Sequence, residues 1–147
     1  MSWTPRSSLD SVEGLIWLPR LFAKARRVAE SGGRSRLVDG YCYGNNDVMD
    51  GRVLRFLRTD DVTVSSILQD HSDDEAARII VKQSGRTREE CLQFSRDLER
   101  TLRSFPVIDA DEGLLPPGIK ATAVRFFYNR LMMPVVYMMF QRAERKR

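Results

Sequence analysis

Apolar residues recur at spacings of three and four through most of this chain, the pattern of amphipathic helices. Leu15, Leu18, Phe22, Ala25 and Ala29 trace the first stripe, with Ser8 or Ser11 placed to cap it. Pro19 falls inside that stripe. It either kinks the helix or sits in the first turn of a second one, because it has no N–H for the carbonyl four residues back. Gly32-Gly33 ends the element, and residues 34–46 are irregular, rich in glycine and asparagine. Asn46 or Asp47 then caps a helix with Met49, Val53, Phe56 and Leu57 on one side. Thr59-Asp60-Asp61 opens a shorter helix carrying Val64, Ile67 and Leu68.

Two capping boxes follow, Ser72 with Glu75 and Thr87 with Glu90. The first opens a helix over about 73–84, closed by Gly85. The second opens one with Cys91, Phe94, Leu98, Leu102 and Phe105 in line, closed by Pro106. Residues 106–117 are a linker, acidic and then proline-rich, and 118–145 form a final long helix that Pro134 should bend. Leu131 to Phe140 contains no charge, and a helix apolar all round is buried by its own domain, a partner or lipid. The pattern predicts an all-α fold. It is a small bundle of five or six helices with no hairpin, in a single domain over 1–147 with a loose arm at 1–7.

A length of 147 residues allows one core without staples. The net charge of +4 is uneven. Residues 120–147 carry seven basic side chains against Glu144 alone, net +6, so the first 119 residues sum to −2. Basic residues after a helix complement its negative end, and they also suit phosphates, anionic lipid or an acidic partner. Cys42 and Cys91 lack CxxC spacing and fit free thiols in a reducing compartment. The apolar run Leu15–Leu18 is too short for a signal peptide, and Leu131–Phe140 is half a membrane span. A cytoplasmic protein is expected.

His71 is the only histidine, and its neighbours Asp70 and Ser72 point away from any shared relay. Glycine-rich phosphate loops and GxSxG are missing, and nothing calls for a metal or a cofactor. The acidic cluster Asp70, Asp73, Asp74 and Glu75 leaves open a carboxylate-only magnesium or calcium site, although acidic residues in a first helical turn are expected without any metal. The candidate ligand site joins Arg20 and Lys24 of the first helix to Tyr41 and Tyr43 of the irregular loop. Met132 and Tyr137 of the last helix complete it. Asp47 or Asp50 is the candidate base there and Tyr43 a candidate acid, although whether any reaction occurs is open. The competing structural role is an ion pair from Arg20 to Asp47 or Asp50 that pins the loop.

Leu15-Ile16-Trp17-Leu18-Pro19-Arg20, with Lys24-Ala25-Arg26, resembles an uncharacterised bacterial family, a domain of unknown function (number 5069). The likeness continues through Tyr41-Cys42-Tyr43, the Asp50 to Leu57 helix and Ser72-Asp73-Asp74-Glu75, over roughly residues 5–104. Family members tend to carry a Cys-Pro-Leu-Asp stretch where this chain reads Asp47-Val48-Met49-Asp50, and Gly-Ile where Arg58-Thr59 stands. The resemblance implies a small helical bacterial domain and no particular activity.

Two functional classes follow. The first is an interaction module that forms a homo-oligomer or binds a partner through Phe127, Leu131, Val135, Met138 and Met139. Methionine-rich surfaces adapt to varied apolar partners. The second is a small helical enzyme or binding protein for an apolar, anionic ligand. A membrane surface ranks below these as a partner, and nucleic acid lower still, because the last helix offers Met and Phe where base-reading helices offer polar side chains.

Overall fold

The computed structural model describes residues 3–104, 123 and 126–145. The chain divides into two compact units, Met1–Arg96 and Asp97–Arg147.

The first departure from the expected pattern comes early. Leu15 lies in a strand, not a helix: β1 (Ser11–Val12) and β2 (Leu15–Ile16) pair antiparallel. Glu13 and Gly14 form the link, both with positive φ (52° and 79°), the twist that closes a two-residue hairpin. Helix α1 (Leu18–Glu30) starts only after Trp17, with Pro19 in its first turn, so proline opens this helix and does not kink it. Neither Ser8 nor Ser11 caps it. Ser11 is in β1, and the Ser8 carbonyl accepts from the Trp17 amide. Gly32 and Gly33, both left-handed, follow its end.

A second hairpin also contradicts the expectation of none. Strands β3 (Leu37–Val38) and β4 (Tyr41–Cys42) pair across Asp39-Gly40, again with positive φ at both positions. Helix α2 (Val48–Phe56) is capped by Asp47, whose carboxylate accepts from the amides of Met49 and Asp50. Helix α3 (Asp61–Asp70) is capped by Asp60, and α4 (Asp73–Ser84) by the Ser72–Glu75 box, with Gly85 left-handed at its end. Helix α5 (Arg88–Arg103) begins at the second box, where Thr87 and Glu90 exchange side-chain and backbone hydrogen bonds.

In the first unit α1 packs against α3 and α4, burying Leu18, Leu21, Phe22 and Val28 with Val64, Ala76 and Ile80. Arg26 ties the corner between α3 and α4. Its guanidinium donates to Asp73 and to the carbonyls of Leu68 and His71, the negative end of α3. Ser95 on α5 holds the first hairpin, accepting from the Ile16 amide and donating to the Gly14 carbonyl. Phe56 and Phe94 stack with centroids 4.1 Å apart. Residues 3–7 are not a loose arm: Pro5 is buried, Trp3 meets Tyr41 edge-on, and the Arg6 carbonyl accepts from Arg20.

The second unit contains α6 (Met133–Glu144), preceded by a π-helical turn at Tyr128–Met132. A π turn just ahead of Pro134 fits the missing proline N–H, which disturbs the ladder one turn upstream. A single long helix over 118–145 is not what the described residues show. The linker expected at 106–117, and Phe105 and Pro106 before it, lie outside them.

Candidate functional site

The residues singled out by sequence fall in two places of opposite character. The first is a buried polar network in the first unit. Asp50 stands in the first turn of α2, fixed by the Asp47 cap, and is fully buried. Its Oδ1 accepts from Lys24 Nζ at 2.6 Å and from the Trp17 indole at 2.8 Å, and its Oδ2 accepts from the Gly44 amide at 3.0 Å. Lys24, equally buried, also donates to the Cys42 carbonyl at 2.9 Å. One carboxylate thus joins the start of α1, the loop after β4 and α2. Burial pushes the Asp50 carboxyl up to about 6, against the opposing pull of Lys24.

Trp17 sits at φ 69°, a conformation that costs a bulky residue about 1–2 kcal/mol. In that position its indole reaches Asp50, and Arg20 and Lys24 lie over its ring at 5.2 and 5.5 Å. A second cluster adjoins the first. Tyr43, buried, donates its hydroxyl to the Asp61 carbonyl and shares a hydrogen bond with Ser65. The Asp61 carboxylate accepts from the Asn45 amide and pairs with Arg36 at 3.5 Å. Burial raises the Tyr43 phenol well above its ordinary range, so it holds its proton throughout neutral pH.

The structure therefore brings Lys24, Tyr43 and Asp50 close, with Arg20 and Tyr41 stacked beside them (5.5 Å). Arg20 and Lys24 of α1 are turned inward: Lys24 stands beside Asp50, where the competing reading placed Arg20, and Arg20 donates to the Arg6 carbonyl. Asp47 is engaged as a cap. Sequence reasoning passed over Trp17, Asp61 and Arg26 as functional groups. A cleft of about 450 Å³ in this unit lies between Ala25, Val28 and Gly33 on one side and Val62 and Ser65 on the other, and with Arg36 also in its lining it borders the Tyr43–Asp61 cluster and not Asp50. Cys42 and Cys91 are buried thiols not joined in a disulfide, and burial raises the Cys91 thiol.

The second place is α6 with the turn before it. Phe127, Leu131, Val135, Met138 and Met139 are all exposed, from 49 to 68 %, as are Phe126 and Met132. Tyr137 lies within α6. Arg130, Arg142 and Arg145 are exposed along the same segment.

A family model for a domain of unknown function, DUF5069, matches residues 2–112. The chain belongs to the DUF5069 family. The match reaches a few residues further at each end than the motif likeness, and it takes in the whole buried network. Residues 113–147, with the exposed apolar helix, lie beyond the DUF5069 match. No curated protein and no solved structure matches the chain.

Proposed function

We propose that this DUF5069 protein is a helical interaction module whose C-terminal segment is the docking element. In this reading residues 118–145 act as one apolar helix, bent at Pro134. It seats on a second copy or on another partner. The observation that supports it is the exposure of seven large apolar side chains between Phe126 and Met139. Apolar surface gathered on one element and left in water marks a surface that associates. The pocket reading has less support. Lys24 and Arg20, its two cations, already donate to acceptors inside the first unit.

Sedimentation velocity combined with anilinonaphthalene sulfonate fluorescence tests the proposal. The full chain is expected to associate reversibly or to light the dye, and Met138→Asp/Met139→Asp to suppress both. A chain that sediments as a monomer and leaves the dye dark would overturn it.

A further inference from the structure

We infer that the partner of the C-terminal segment is an anionic lipid surface. Residues 126–145 would lie in the interface plane, the apolar side chains among the acyl chains and the flanking arginines at the phosphates. The inference rests on the docking reading above and names its occupant.

Length comes first. The charge-free stretch Leu131–Phe140 spans about 15 Å as a helix, half of the roughly 30 Å hydrocarbon layer. Among the described residues no helix is long and apolar enough to cross a membrane. Such a segment is suited to one leaflet, lying along it.

Charge decides between occupants. Arg130 precedes the apolar stretch, and Arg142 and Arg145 follow it, all exposed. The sequence adds Lys120, Arg125, Lys146 and Arg147, for the net +6. Each basic residue near an anionic leaflet contributes about 1 kcal/mol, and arginine stems reach up from an immersed helix to the headgroups. The same segment of a second copy lacks this complement. Val135, Met138, Met139 and Arg142 share one face of α6 at spacings of three and four, and all are exposed. Two copies paired on that face bring Arg142 against Arg142 when parallel, and towards the turn holding Arg130 when antiparallel. Glu144 is the only acid in the segment. A groove on a protein takes one apolar stripe and leaves a polar face in water. Leu131–Phe140 has no charged position to form that face. An acyl layer presents no fixed stripe to match, and the arginines at either end hold the segment at its surface.

Flotation of the full chain with vesicles tests this. Binding to phosphatidylcholine vesicles containing one third phosphatidylserine should exceed binding to pure phosphatidylcholine by about tenfold or more, and high salt should remove the difference. Arg142→Gln/Arg145→Gln should weaken it about thirtyfold. Met138→Asp/Met139→Asp should abolish it, with the circular dichroism of the chain unchanged. Equal binding to both vesicle types overturns the inference. So does a chain that ignores vesicles yet self-associates or lights the dye, which leaves the docking reading standing with a protein partner. A monomer that ignores vesicles and leaves the dye dark overturns both.

Discussion

The two units of this chain invert each other. In the first, charge is inside: Lys24 and Asp50 are 3 % and 0 % exposed and bonded to one another. In the second, apolar surface is outside: Met139 is 68 % and Phe126 63 % exposed. Both arrangements cost free energy in isolation. A buried ion pair loses hydration that its own attraction only partly returns, and exposed apolar area forgoes about 25 cal/mol per Å². The difference lies in how each cost is met. The first unit meets its cost internally, because hydrogen bonds with Trp17, Cys42, Gly44 and the Asp47 cap converge on Lys24 and Asp50. The exposed apolar side chains described in the second unit carry their cost in water, which is what the proposed docking would relieve. Buried charge here argues for architecture, and exposed apolar surface argues for function.

The largest expected effect breaks the first half of that comparison. Lys24→Met removes the cation and leaves Asp50 in an apolar site. The folded-state pKa of Asp50, already raised to about 6, should climb further. A group with a raised folded pKa adds stability that is present below its unfolded pKa and lost as pH rises through the folded one. Wild type should therefore lose this contribution as pH rises through about 6, and the variant over a higher range. The variant should cost about 3–5 kcal/mol at pH 8, where the lone carboxyl is pressed to ionise, and distinctly less at pH 5. Urea unfolding at the two pH values checks it. An equal loss at both would mean that the ion pair is not what Lys24 supplies.

A smaller effect tests how closely the network is built. Gly44 has φ 98°, and its amide is one of the Asp50 donors. A Cβ there would collide with the Asp61 carboxylate. Gly33 also has positive φ (67°), but a Cβ there meets nothing within 4 Å. Both alanine variants carry a positive-φ penalty, larger at the 98° of Gly44, and only Gly44→Ala adds the collision. Gly44→Ala should cost about 2 kcal/mol more than Gly33→Ala by urea midpoint. Equal losses would show that Asp61 has room to give way.

The helices of this protein were legible because their boundaries are written in short-range chemistry. Ser72 with Glu75, Thr87 with Glu90, and Gly85 each place a helix end from residues three apart or fewer. The hairpins carry a local signal too, Glu13-Gly14 and Asp39-Gly40, but their strands are two residues long. Alternation cannot be detected over two positions, and Leu15 also satisfied the helical spacing of Leu18 and Phe22. The network was only half legible. Lys24, Tyr43 and Asp50 were named as candidate chemistry, yet nothing local says that Lys24 points inward, because Arg20, Lys24 and Arg27 share the same helical spacing. Arg27 is exposed enough to pair with Asp39 and Glu30 at the surface, while Lys24 is closed in. Burial of a cation depends on a partner 26 residues away, and spacing along one helix does not contain it.

The smallest expected effect on stability sharpens the second half of the comparison. Two aspartates placed in a core cost several kcal/mol, because each carries a charge out of water. At Met138 and Met139, 49 % and 68 % exposed, they should shift the urea midpoint by no more than about 0.5 kcal/mol. The same double variant is the one expected to abolish docking. Large loss of association with unchanged stability is the signature of apolar surface kept for another molecule, since a side chain that holds its own fold cannot be charged without cost. If the variant instead unfolds the chain, the methionines serve the fold itself, and the inversion between the two units disappears.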